Sequence, residues 1–69
     1  MEKRLVSVSP REVDVLRLIA RGHTYAQIAR RLGVSVHTVG THVKKVYRKL
    51  GVHSAGAAVM RAIELRLIP

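Results

Sequence analysis

The 69-residue sequence contains no cysteine, no tryptophan and no phenylalanine, and it has only two tyrosines. The absence of cysteine excludes disulfides, thiolate zinc sites and cysteine nucleophiles. No stretch approaches the roughly 18 consecutive apolar residues that a membrane span requires, and the N-terminus lacks the apolar core of a signal peptide. The sequence therefore predicts one small cytoplasmic domain with no metal and no cofactor.

Acidic side chains are also scarce, because four Asp and Glu face 13 Lys and Arg, which gives a net charge of +9 with neutral histidines. None of the four lies between residues 15 and 63, a stretch that holds nine Lys and Arg and all four histidines. At 48% hydrophobic residues the chain can still fold, unlike a disordered basic tail. Side chains of one charge over most of a folded domain repel one another, which favours a polyanion as the partner.

Capping and glycine signals divide the chain into four helices without any strand pattern. The predicted N-caps are Ser9, Thr24, Ser35 and Ser54, and the predicted ends are Gly22, Gly33 and Gly51, with Pro69 closing the chain. The short connection at Gly33 and Val34 joins the second and third helices as a helix-turn-helix. The fold class is therefore predicted as all-α, a four-helix domain over residues 8–69 after a flexible lead-in of residues 1–7.

The third helix has the clearest periodicity. Its apolar residues alternate spacings of three and four, which predicts one narrow buried stripe made of Val36, Val39, Val43, Val46 and Leu50. The same rotation gathers a polar side made of His37, Thr38, Thr41, Lys44, Lys45 and Arg48, with His42 and Lys49 along one edge. A helix that binds in the DNA major groove needs one apolar side that packs on its own domain and an opposite side with short polar or long basic side chains that face the DNA.

Individual roles follow from side-chain chemistry. Thr41 offers its hydroxyl, or its methyl to thymine, and Lys44 and Lys45 reach guanine acceptors or phosphates. Arg48 and Lys49 lie near the C-terminal end of the helix, where they contact phosphate or, equally well, pair with the negative end of the helix itself. Phosphate contacts are also predicted for Thr24 and Thr38, although ordinary capping explains either threonine equally well.

An ordered series of short motifs runs along the chain: Ser9-Pro10-Arg11-Glu12, Ile28-Ala29, Leu32-Gly33-Val34-Ser35, Thr38-Val39 with His42, and Lys49-Leu50-Gly51-Val52. From about residue 8 to residue 68 this series resembles the LuxR-type helix-turn-helix domain of NarL/FixJ response regulators, quorum-sensing receptors and GerE. The resemblance implies a bacterial transcriptional regulator, either an effector domain or a stand-alone protein, that binds double-stranded DNA as a homodimer.

Site residues carried over by position from this family are Thr38, Gly40, Thr41, Lys44 and Lys45 for DNA, with His42 as a further candidate, and Ala58, Val59 and Ala62 of the fourth helix for the dimer contact. Packing inward on their own domain is the alternative for Ala58, Val59 and Ala62. Three features depart from the family pattern. Ala55 stands where an arginine is usual at the start of the fourth helix, and Gly56 follows it where a better helix former is common, so this helix is expected to start late or fray. Gly40 stands where a lysine or another long polar residue is common, and Arg66 stands where the ending usually has glycine.

Three other functions compete with DNA binding. An enzyme is not expected, because the histidines and carboxylates form no known ligand spacing and no serine lies in a nucleophile elbow. A membrane-active peptide is disfavoured because the apolar side of the basic helix consists mainly of valines, whereas aromatic residues and leucines are the side chains that insert into lipid. A helix-turn-helix that docks onto the transcription machinery, with RNA polymerase as a partner, remains the alternative.

Overall fold

The computed structural model describes residues 7–69, so the predicted lead-in of residues 1–7 lies, apart from Ser7, outside the described residues. The helices are α1 (Pro10–Ala20), α2 (Tyr25–Leu32), α3 (Val36–Leu50) and α4 (Ala55–Glu64). No strand occurs in the part of the chain that is described. The predicted all-α class with four helices is confirmed.

Each helix begins at the cap that the sequence predicts. The Oγ of Ser9 accepts a hydrogen bond from the Glu12 amide at 3.2 Å, and the Glu12 carboxylate accepts one from the Ser9 amide at 3.0 Å. Thr24 and Gln27 form the same reciprocal pair at the start of α2. The capping serines of α3 and α4 each accept one such bond from the amide three residues on. These side chains satisfy amides that a helix start would otherwise leave without partners.

The core consists of two adjoining clusters that share α1 and α3. Between α1, α3 and α4 the buried residues are Leu16, Val46, Leu50, Ala58, Ala62 and Ile68. Between α1, α2 and α3 they are Val15, Ile28, Ala29, Val39 and Val43. Tyr47 packs against both clusters. Since α3 contributes valines to each cluster, its inner side is fixed along most of its length and its outer side is left to solvent.

All four helices end in one backbone motif, in which a residue with positive φ follows the last turn. Glycines occupy this position after the first three helices, with φ of 86° at Gly22, 70° at Gly33 and 69° at Gly51. After α4 the position is taken by Arg66, with φ of 59°. The next amide, that of Leu67, donates to the Ala62 carbonyl at 2.8 Å and closes the motif. A side chain in this conformation crowds its Cβ against the backbone, which costs about 1 kcal/mol relative to glycine.

Replacing Arg66 by Gly should therefore stabilise the domain by about 0.5–1 kcal/mol. For a domain of this size the gain corresponds to roughly 4–8 °C in Tm per kcal/mol, measurable in a circular dichroism melt. Arg66→Ala is the matched control, because it removes the same charge but keeps a Cβ. A Tm of Arg66→Gly no higher than that of Arg66→Ala would contradict the idea that backbone strain is stored here.

Candidate nucleic-acid interface

One side of α3 faces away from both core clusters. Val39, Val43 and Val46 are buried, whereas the residues on the opposite side of the helix are exposed, because successive residues are rotated by about 100°. We call this exposed side the reading face; it consists of His37, Thr41, Lys44, Lys45 and Arg48. It contains no carboxylate and no large apolar side chain. An unbroken basic and polar surface on a single rigid helix results.

The threonine hydroxyls of α3 are already oriented by local hydrogen bonds. Thr41 donates its hydroxyl proton to the carbonyl of His37 at 3.2 Å, so the oxygen keeps only acceptor capacity. Thr38 accepts from the Ser35 hydroxyl at 3.0 Å, which leaves its own proton for an external acceptor such as a phosphate oxygen. The Oγ of Ser35 in turn accepts from the Thr38 amide at 3.0 Å. Thr38 is therefore held as a donor in the first turn of α3.

Thr24 lies at the exposed start of α2. Its hydroxyl accepts from the Gln27 amide at 3.1 Å, and the first turn of α2 contains no acidic side chain. The remaining free amides and the positive end of the helix dipole favour an anion at this place. The start of α2 is thus chemically suited to a phosphate, as the sequence suggests.

Two predicted contact residues, Gly40 and His42, are half-buried on opposite edges of α3. A Cβ added at Gly40 would meet no atom within 4 Å, and the residue does not have a positive φ. Nothing within the described chain therefore requires glycine here, although glycine weakens a helix interior by about 1 kcal/mol relative to alanine. The missing side chain leaves the backbone of α3 open to close approach from outside.

Lys49 has a partner within the chain. Its Nζ donates to the Glu12 carboxylate at 2.9 Å, while 39% of the Lys49 side chain remains exposed. Glu12 is only 4% exposed and also closes the capping box with Ser9. This ion pair fastens the last turn of α3 to the first turn of α1. Lys49 therefore has a structural role, whereas Arg48, one residue earlier, is exposed and takes part in no ion pair among residues 7–69.

The surroundings of Glu12 change its titration. Burial alone raises the pKa of this carboxyl group, but the hydrogen bonds from Lys49 and Ser9 and the charge of Lys49 outweigh burial and hold the pKa below its ordinary value of 4.5. A carboxyl whose pKa is lowered by folding stabilises the folded state above its ordinary pKa. That contribution is lost as the pH falls through the lowered value.

We therefore expect the stability of the domain to fall as the pH drops below about 4.5, and expect Glu12→Gln to flatten that dependence. At pH 7 the substitution should cost about 1.5–3 kcal/mol, because it removes a charged hydrogen bond. Urea unfolding of both proteins at pH 7 and pH 3 measures both effects. Asp14→Asn is the control, because the ion pairs of Asp14 are long and exposed. A loss of stability on acidification that is as steep in Glu12→Gln as in the wild type would show that another group is responsible.

One member of the predicted buried stripe is misplaced. Val36 is 50% exposed, so the prediction that it belongs to the core is wrong. It is the first residue of α3, and the buried cluster on this side begins only at Val39. Tyr47 contributes instead, half-buried against both clusters. Burial, followed by the neighbouring Tyr25, raises the pKa of the Tyr47 hydroxyl.

The predicted dimer contact on α4 also needs correction. Ala58 and Ala62 are both 0% exposed, because they pack against Leu16 inside their own domain, so neither side chain can reach a second chain. Val59 is half-buried beside them. The apolar side chains that α4 exposes are Met60, at 61%, and Ile63, at 44%.

Two other kinds of site are absent from residues 7–69. No group of three or more His, Asp or Glu side chains is placed to hold a metal ion. None of the described helices has the length and apolar character needed to cross a bilayer.

The chain is similar in sequence and in fold to known bacterial regulatory proteins. The CarR transcriptional activator protein of Pectobacterium carotovorum subsp. carotovorum is 43% identical over 60 residues, which cover 87% of this chain and 25% of CarR. The structure of ChrA, a response regulator of a heme-sensing two-component system, superimposes with a TM-score of 0.87 at 35% identity, over 99% of this chain and 33% of ChrA. The VqmA dimer of Vibrio cholerae, solved without target DNA, has a TM-score of 0.83 at 29% identity, over 90% of this chain and 28% of VqmA.

The chain spans about a quarter of the length of the curated relatives that it matches. The sequence model of the GerE family, described as bacterial regulatory proteins of the luxR family, matches residues 6–62. That match covers most of the chain and all of α1, α2 and α3. The chain belongs to the luxR family of bacterial regulatory proteins.

Proposed function

We propose that residues 8–69 form a DNA-binding domain that regulates transcription in the bacterial cytoplasm by inserting α3 into the major groove of double-stranded DNA. The observation that carries this proposal is the reading face, where five exposed basic or polar side chains back onto buried valines. The relatives named as a transcriptional activator and a response regulator support it. Proteins named as regulators thus contain a domain that is similar to this chain.

The dimensions agree with this mode of binding. The major groove is about 12 Å wide and accepts one α-helix with its side chains. With the reading face towards the bases, Thr41 presents its methyl or its acceptor oxygen, and Lys44 reaches guanine O6 and N7. Lys45 and Arg48 flank these two and contact phosphates. Thr24 and Thr38 lie at helix starts, where they complete the contacts to the backbone.

We propose further that the domain binds DNA as a homodimer through the outer side of α4. Met60 and Ile63 are exposed and three residues apart, and together with the half-buried Val59, four residues before Ile63, they form its outer apolar strip. A two-fold dimer places one α3 in each of two successive major grooves, roughly 34 Å apart. The dimeric state of the VqmA relative is consistent with this arrangement.

Selection of bound duplexes from a random pool, followed by affinity measurements over a salt series, tests the proposal. The logarithm of the affinity should fall linearly with the logarithm of salt, with a slope of about −0.9 for each phosphate contact. The selected sequences should contain paired half-sites about one helical turn apart. Absence of duplex binding at low salt would refute DNA recognition, and selection of single half-sites only would refute the dimer.

A further inference from the structure

A second basic surface lies outside the reading face, in the groove between α1 and α2. Its lining, which we call the arginine groove, consists of Arg21, Gly22, His23, Gln27, Arg30 and Arg31. No residue of α3 takes part in it. The positively charged side chains of the arginine groove therefore take no part in the proposed contact between α3 and the DNA major groove.

Two of the arginines that line the groove, Arg21 and Arg30, project away from the core. In α1, Val15 packs towards α2 and α3 and Leu16 towards α3 and α4, and Arg21, directly after the last residue of the helix, projects from roughly the opposite side. In α2, the buried residues Ile28 and Ala29 pack towards α3, and Arg30 projects away from them.

The charge of the groove is not neutralised within the described chain. The ion pairs among residues 7–69 join Asp14 to its neighbours on α1, Glu12 to Lys49, and Glu64 to Arg61. Arg21, Arg30 and Arg31 belong to none of these pairs. Three guanidinium groups line one groove without a carboxylate partner in the described residues, which raises the energy of the free surface by mutual repulsion and favours an anionic partner.

A neighbouring groove extends the surface and adds apolar contacts. It shares Arg21 and Arg31 with the first and is also lined by Leu18, Leu32, Asp14 and Arg17. The combined surface therefore offers guanidinium groups, half-buried leucines and one carboxylate. Arginine binds carboxylates through two parallel hydrogen bonds, while the leucines supply apolar area.

We propose that the arginine groove binds an acidic, leucine-containing segment of a partner protein, through cations that lie outside the reading face. A protein segment provides both carboxylates for Arg21, Arg30 and Arg31 and apolar side chains for Leu18 and Leu32. A second duplex fits less well, because phosphates make no use of the leucines. This inference does not depend on the proposed insertion of α3 into DNA, since the arginine groove and the reading face share no residue.

The test uses a fluorescein-labelled peptide of about 16 residues in which pairs of Glu alternate with pairs of Leu. Its affinity is measured by anisotropy, and its site is mapped by amide chemical shifts of the labelled domain. Two triple variants are compared, Arg21→Gln with Arg30→Gln and Arg31→Gln, and Lys44→Gln with Lys45→Gln and Arg48→Gln. Both remove three positive charges, so general attraction to a basic protein affects them equally. Duplex affinity is measured in parallel on the same proteins.

The first triple variant should bind the peptide at least about tenfold more weakly and keep its duplex affinity, whereas the second should lose duplex affinity and bind the peptide within about twofold of the wild type. Shifts should concentrate in residues 17–32. Equal losses of peptide binding in the two variants, shifts centred on α3, or no peptide binding by the wild type would overturn the proposal. A loss of duplex affinity in the first variant as large as in the second would assign the groove to DNA instead.

Discussion

We expect the Val43→Asp variant to be unfolded at pH 7 and 25 °C. Val43 is 2% exposed and packs with Val15, Ile28 and Val39 between three helices. The substitution removes the apolar burial of a valine, about 1.5–3 kcal/mol, and places a charge inside an apolar cluster, which adds several kcal/mol more. A domain of this size has a total stability of roughly 3–10 kcal/mol, so the loss is comparable to the whole.

Val36→Asp provides the matched control, since it makes the same change in the same helix and in the same apparent stripe of the sequence. Val36 is 50% exposed and is the first residue of α3, where a negative side chain interacts favourably with the helix dipole. The Val36→Asp variant should therefore retain a wild-type circular dichroism spectrum and a cooperative melt. If both variants melt like the wild type, or if both are unfolded, the burial pattern of α3 described above is incorrect.

The contrast between these two valines shows what the sequence can and cannot predict. Caps, glycine ends and helical periodicity are local signals, and they predicted all four helices and, apart from Val36, the inner side of α3 correctly. Periodicity reports which side of a helix is apolar, but it does not report how far along that side the neighbouring helices reach. Val36 shares the stripe and lies beyond the packed part of it.

Contacts between distant segments could not be predicted from these local signals. Glu12 and Lys49 are 37 residues apart, and no repeat or motif links them, yet they form the ion pair that ties α1 to α3. Lys49 was predicted from its position on α3 alone, so its partner could not be anticipated. The placement of Ala58 and Ala62 could not be predicted for a related reason. Alanines at helical spacing indicate close packing, but they do not indicate whether the packing partner is the same chain or another.

The reading face, by contrast, follows from the sequence almost entirely, because it depends only on rotation about one helix. Its exposed residues are those that the helical wheel places opposite the valines. Local hydrogen bonds add what the wheel cannot show, namely that Thr41 keeps an acceptor and Thr38 a donor. The DNA contacts themselves stay predictions. Substitution of Lys44 and Lys45 tests them directly.

We expect Lys44→Ala and Lys45→Ala each to lower duplex affinity by about tenfold, and the double variant to lower it by about a hundredfold. Both side chains are exposed and neither takes part in an ion pair among residues 7–69. Their removal should therefore leave stability nearly unchanged. Anisotropy titrations over a salt series separate the two roles. Loss of a phosphate contact lowers the salt slope by about 0.9, whereas loss of a base contact weakens binding to the selected site more than to random duplex.

Arg17→Ala is the control for these variants, because it removes one positive charge from an exposed position on α1, where the side chain makes only a long ion pair of 3.9 Å with Asp14. Arg17 lies on the outer side of α1, away from the reading face. Its replacement should change duplex affinity by less than about twofold, through net charge alone. If the lysine variants lose no more affinity than Arg17→Ala, then the side of α3 opposite the valines does not enter the major groove, and another surface of the domain must bind the duplex.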